Sequence, residues 1–85
     1  MVGLTLTAYS ILLYLKENGK TKILMSCPVS ELADKCNMSE AAAYRAIDIL
    51  LGCKFIALGV QVGNKRTYYI TEAGLEHVYL ASGEK

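Results

Sequence analysis

Tryptophan is absent from this 85-residue chain, and proline, phenylalanine and histidine each occur once. The lone histidine, His77, narrows the chemistry. Ser30 and Ser39 have no histidine near them in sequence, so they read as helix caps rather than nucleophiles. Cys27, Cys36 and Cys53 form no CxxC pair, and with one histidine they fall short of a four-ligand zinc site. Cys36 and Cys53 fall at core-like positions as small hydrophobes, with an intermolecular disulfide through Cys27 as the alternative use. The glycines build no phosphate loop, because GVQVGNK lacks both the Walker and the dinucleotide spacing. The chain is expected to be no enzyme and to hold no metal or cofactor.

Long apolar runs are also missing. The stretch from Leu4 to Leu15 is interrupted by Tyr9, Ser10 and Tyr14 and is far shorter than the ~20 residues of a membrane span. It lacks the basic start and small-residue cleavage site of a signal peptide, so a cytoplasmic protein without membrane attachment is expected. Charge of one sign is lacking too: the formal net charge is +1, which excludes a domain-wide positive field and an indiscriminate coat on nucleic acid. A local cluster can still bind, since only charges within ~8–10 Å of a phosphate act strongly on it.

What is plentiful is apolar side chain. At 53% hydrophobic residues, the chain carries more than one small domain spanning residues 1–85 easily hides. The excess is assigned to a subunit interface, which predicts a homodimer.

The most informative segment runs from Val29 to Ile56. Ser30 is a candidate cap for a short helix whose Leu32, Ala33 and Cys36 recur on one stripe. Asn37 tolerates a left-handed backbone and suits the turn. Ser39 then caps a second helix that places Ala43, Ala46, Ile47 and Leu50 on one face. Two helices joined so tightly form a helix-turn-helix, whose second helix can enter a DNA major groove.

Upstream, Thr5 or Thr7 caps a helix, apolar nearly all round, that stops near Asn18-Gly19. Ile23-Leu24-Met25 reads as a short β-like run before Pro28. Downstream, Phe55 to Val62 and Arg66 to Ile70 are strand-like and flank the turn residues Gly63-Asn64-Lys65, predicting a hairpin with basic residues at its tip. Thr71 caps a last helix through Leu75, Val78, Tyr79 and Leu80.

This order, an α+β and mainly α arrangement of helix, short strand, helix, helix, hairpin and closing helix, resembles the winged helix-turn-helix superfamily. The likeness is greatest to small MarR-, PadR- and ArsR-type regulators of prokaryotes or their viruses. SEAAAYRAIDIL is similar to their recognition-helix pattern, and RTYYITEAGLEHV looks like the return strand of the wing followed by the Thr-x-x-Gly start of the closing helix. The chain departs from the pattern at Lys54, where the family usually has glycine; Gly52 is the candidate to supply the flexible helix end instead.

The resemblance implies a regulator that binds double-stranded DNA, with a recognition helix at about 39–52 and a wing at about 55–70. Helical geometry points Ala41, Arg45 and Asp48 outward, flanked by Ala42 and Tyr44. Arg45 suits guanine, Ala41 or Ala42 a thymine methyl, Asp48 cytosine N4, and Tyr44 and the Ser39 amide a phosphate. The plain alternatives are a solvated Arg45 paired with Glu40 or Asp48, and Tyr44 at the edge of the core. Lys65 and Arg66 are the wing contacts, with Lys20, Lys22 and Lys54 as candidates to extend the basic edge. Tyr9, Leu13, Val78 and Tyr79, on the first and last helices, are the candidate dimer surface. Because Glu40 and Asp48 outnumber Arg45 on the recognition helix, a protein-binding adaptor is the competing function.

Overall fold

Seven elements, α1 (Leu6–Glu17), β1 (Cys27–Pro28), α2 (Val29–Lys35), α3 (Glu40–Gly52), β2 (Ile56–Leu58), β3 (Thr67–Ile70) and α4 (Glu72–Ser82), follow one another in a computed structural model. It describes residues 6–61 and 63–82. In α1, Ala8, Ile11, Leu12 and Leu15 recur at helical spacing and are wholly buried, while Tyr9, Leu13 and Tyr14 beside them are half-buried. The chain thus covers one stripe of α1 and leaves its flanks partly open. A cap at Thr5 lies outside the described residues, and Thr7 is already the second residue of the helix. The stop at Asn18-Gly19 is as expected. Gly19 takes φ +68°, its N–H donates to Lys16 O at 3.2 Å, and the Lys20 N–H donates to Leu15 O at 2.9 Å, a Schellman closure.

Residues Ile23, Leu24 and Met25 are not a strand. They form an exposed turn closed by Met25 N–H to Lys22 O at 2.8 Å, and β1 is the dipeptide Cys27–Pro28 that follows. The sheet has the order β1-β3-β2, antiparallel throughout, with Cys27 opposite Tyr68 and Leu58 opposite the same Tyr68 from the other side. The hairpin strands are shorter than the β-forming runs suggest: Gly59 N–H still donates to Thr67 O at 2.8 Å, but residues 60–61 and Arg66 lie outside the strands.

Ser30 does not cap α2. Pro28 occupies the cap position, in extended conformation with no side-chain hydrogen bond, and Ser30 is inside the first turn. Asn37 takes φ +57° in the turn, and Ser39 Oγ accepts from the Ala42 N–H at 3.1 Å, both as expected. Ala43, Ala46, Ile47 and Leu50 are all buried. They join Ile11, Leu12, Leu15, Leu32, Ile70 and Val78 in the core.

The exit from α3 corrects the role given to Gly52. That glycine is the last helical residue, and Lys54 itself takes the left-handed φ of +62° where the family has glycine. The strained residue is held by its neighbours: Lys54 N–H reaches Leu51 O, Phe55 N–H reaches Leu50 O, and Lys54 O accepts the Thr71 hydroxyl at 2.8 Å. Thr71 Oγ1 also accepts from the Gly74 N–H at 3.2 Å, capping α4 as expected. Gly74 lies against the Phe55 carbonyl, where a Cβ would collide, which accounts for the Thr-x-x-Gly motif in steric terms. His77, unremarkable in the sequence, stacks on Phe55 with ring centroids 4.6 Å apart.

The cysteine assignment changes in part, with Cys36 packed against the core as expected. Cys27 is the fully buried one, so an intermolecular bridge through it is closed off sterically, while Cys36 and Cys53 are half-buried. No helix among the described residues is long and apolar enough to cross a membrane.

Candidate nucleic-acid interface

Burying one face of α3 dictates what the opposite face presents. Ala41, Tyr44, Arg45, Asp48 and Ile49 are exposed, Ala42 is half-buried, and Tyr44 shows 53% of its surface. These positions divide into two facets. Glu40, Tyr44, Asp48 and Leu51, spaced by four, four and three residues, form one wall of a cleft of about 380 Å³. Asn64, Lys65, Arg66 and Tyr68, from the turn and second arm of the hairpin, line it too, as do Pro28, Val29 and Ser30. Arg45 lies about 100° further round the helix than Tyr44 and does not line this cleft. Nor does Ala41.

The exposed acidic side chains of α3 fall on the facet that lines the cleft. Glu40 and Asp48 line the same cleft as Lys65 and Arg66, while Arg45, the one cation of α3, lies on the other facet. Tyr68 is buried at the root of the wing; its phenol is raised in pKa by desolvation, an effect the adjacent Arg66 opposes. Lys20, Lys22 and Lys54 do not line the cleft and do not continue its basic wall. Sequence reasoning missed Glu40, Leu51, Asn64 and Tyr68 as lining residues. The four-residue spacing of Glu40, Tyr44 and Asp48 was the available signal, but nothing local says which facet meets the wing.

A second polar cluster lies behind the helix pair. Glu31 on α2 accepts at Oε2 from the Tyr14 hydroxyl at 2.8 Å and from the Cys27 thiol at 3.3 Å, tying α2 to α1 and β1. The tyrosine hydrogen bond, foremost, holds the Glu31 carboxyl below its usual range. The converse effect lifts Tyr14 to about 12, while burial, then the bond to Glu31, lifts Cys27 to about 12. A thiol so raised is a poor nucleophile, and this cluster reads as an inter-element tie. Among the described residues no group of three or more His, Cys, Asp or Glu side chains is placed to hold a metal.

The candidate dimer residues fall on α1 and α4, two helices that pack against each other. Tyr9 and Leu13 are half-buried on α1, and Tyr79 is 43% exposed on α4 with the Lys16 ammonium 4.8 Å from its ring centroid. Val78 is fully buried within the chain, since it falls on the core-facing stripe of α4, and is thereby removed from the set. Leu6 and Leu80 are also exposed on the same two helices.

No family model matches the chain. It is 34% identical over 68 residues to the DNA-binding protein TubR of a Clostridium botulinum C phage, an alignment covering 80% of this chain and 84% of that protein. Among solved structures it is similar to TubR from Bacillus megaterium pBM400, with a TM-score of 0.82 and 29% identity over 93% of this chain and 87% of that one. A MarR-family transcriptional regulator from Silicibacter pomeroyi superposes with a TM-score of 0.81 at 20% identity, covering 96% of this chain and 52% of its own, a likeness of fold.

Proposed function

The chain belongs to the TubR family, and on that footing we propose that it is a winged-helix regulator that binds duplex DNA, as a homodimer in the cytoplasm. The observation that carries the reading is the similarity to a DNA-binding protein over most of both chains, together with an exposed α3 set beside a basic wing. It favours this function over the protein-binding adaptor.

In this reading α3 enters the major groove and the two facets divide the work. Arg45 reads a base, with its fork matched to guanine O6 and N7, and Ala41 and Ala42 meet thymine methyls. Tyr44 and the backbone amide of capped Ser39 hold phosphates. Lys65 and Arg66 engage the backbone or the minor groove, beside the cleft they share with Asp48 and Glu40. The dimer forms through the open flanks of α1 and α4, with Tyr9, Leu13 and Tyr79 joined by Leu6 and Leu80. Two-fold symmetry then calls for half-sites about one helical turn apart, ~34 Å.

The test is selection from a pool of duplexes at ~50 and ~200 mM salt, followed by single substitutions. Enrichment of a two-fold symmetric site whose affinity falls with salt is the expected result. Arg45→Ala should cost ~1–3 kcal/mol at one base pair and relax preference there, whereas Lys65→Ala and Arg66→Ala should weaken every sequence and flatten the salt dependence. Absence of binding at low salt would return the adaptor reading to the front.

A further inference from the structure

The carboxylates of this chain are unevenly placed. Residues 18–30 and 49–71 contain no Asp or Glu, yet carry Lys20, Lys22, Lys54, Lys65 and Arg66. The fold brings parts of these two segments together. Thr67 is buried beneath the 22–26 turn, Ser26 Oγ lies 2.8 Å from Thr67 Oγ1, and the Thr67 hydroxyl donates to Val60 O. Gly59 is packed so closely on Ser26 that a Cβ there would collide. On this junction sit five large apolar side chains left in the open: Ile23, Leu24 and Met25 on the turn, and Leu58 and Val60 on the wing.

A monomer seldom leaves such a group bare, and Leu24, at 85% exposure, projects furthest. Two further features describe what would cover it. Strand β2 is at the edge of the sheet, with no strand of this sheet on its outer side. Beside it, a small cleft lined by Leu58, Gly59, Gln61, Arg66 and Thr67 puts a guanidinium next to apolar surface. Lys22 adds a second cation beside Ile23 and Leu24. We propose that the junction of the 22–26 turn and the wing base is a docking surface for an extended, acidic and apolar segment of a partner protein. That segment adds along β2, rests its apolar side chains on Leu24, Leu58 and Val60, and sets its carboxylates on Lys22 and Arg66. A strand edge with a shallow cleft suits a peptide, whereas lipid-headgroup recognition calls for a larger cluster of cations. Arg66 also lines the α3 cleft, so the segment and DNA compete for it. This competition, unlike the docking itself, rests on the DNA-binding reading.

The probe is a fluorescein-labelled synthetic peptide of about ten residues alternating Asp or Glu with Leu or Phe, titrated against the full chain in the absence of DNA. Two matched peptides carry amides in place of the carboxylates, or serine in place of the apolar residues. The acidic-apolar peptide should bind, both matched peptides should not, and the double substitution Leu24→Ser with Leu58→Ser should weaken binding about tenfold. Both sites are exposed, so circular dichroism of this variant should match wild type. No binding, or equal binding by the variant or the amide peptide, overturns the proposal. So does wild-type self-association that the variant abolishes, which would make the patch an interface between copies. Retention on phosphatidylserine vesicles without peptide binding would assign it to a lipid surface instead. DNA competition is then read separately: a peptide that binds without displacing a selected duplex removes the Arg66 coupling and leaves the docking site standing.

Discussion

Replacing Gly74 by alanine sets two effects of opposite sign against each other. Inside a helix the exchange gains about 1 kcal/mol, because alanine loses less backbone freedom on folding. Here the new Cβ would run into the Phe55 carbonyl, and it would also stand 2.7 Å from Ile70 Cγ1. The carbonyl cannot easily retreat. It accepts the Thr71 N–H at 2.9 Å, and the Phe55 N–H is itself held by Leu50 O at 3.0 Å. Relief therefore requires α4 to move off the strand, at an overpacking cost of about 1–3 kcal/mol. The shift also disturbs the Phe55–His77 stack, which contributes about 0.5–1.5 kcal/mol. The net effect is a loss of roughly 1–3 kcal/mol, or a fall in Tm of about 5–15 °C for a domain of this size. Gly52→Ala provides the control, since a Cβ there meets nothing within 4 Å and the backbone is helical. It should raise Tm by a few degrees, up to about 1 kcal/mol of stability. Urea and thermal unfolding followed by far-ultraviolet circular dichroism measure both variants. A Gly74→Ala protein as stable as wild type would refute the steric account of the motif.

Lys54→Gly should stabilise the fold by about 0.5–1 kcal/mol, because glycine adopts the left-handed φ without the ~1–2 kcal/mol it costs an L-residue, less the part lost to greater unfolded-state entropy; an unchanged urea midpoint would count against strain at this residue. Glu31 has a lowered folded pKa, so its contribution is present above the unfolded value and is lost as pH falls through the folded one; Glu31→Gln should flatten the acid limb of the stability profile. Cys27 and Tyr14, both raised to about 12, impose the opposite sign: stability should hold below about pH 9 and decline toward pH 12, with Cys27→Ser moving that alkaline limb. Ser39→Ala should cost ~1 kcal/mol through the lost α3 cap, visible as a lower urea midpoint.

The features that the sequence by itself determined are those whose physics is local. The Ser39 and Thr71 caps, the left-handed turn at Asn37, the Schellman stop at Gly19 and the buried stripe Ala43, Ala46, Ile47 and Leu50 each depend on residues within one or two turns of each other. Their hydrogen bonds and periodicity hold whatever surrounds them. The features that only tertiary structure decided involve partners far apart in the chain. Lys54 makes the same local closing bonds as Gly19, and the distant partner is Thr71, whose hydroxyl holds the Lys54 carbonyl in a conformation that lysine disfavours. Ile23, Leu24 and Met25 have strand propensity but no neighbouring strand to pair with, so the run closes as a turn. The same holds for the site. Spacing along α3 shows that Tyr44 and Arg45 face outward, but the position of the wing determines that Tyr44, Asp48 and Glu40 line the cleft while Arg45 stands clear of it. Position along a helix sets the direction of a side chain; what it meets there is set by the packing of elements that the local sequence does not encode.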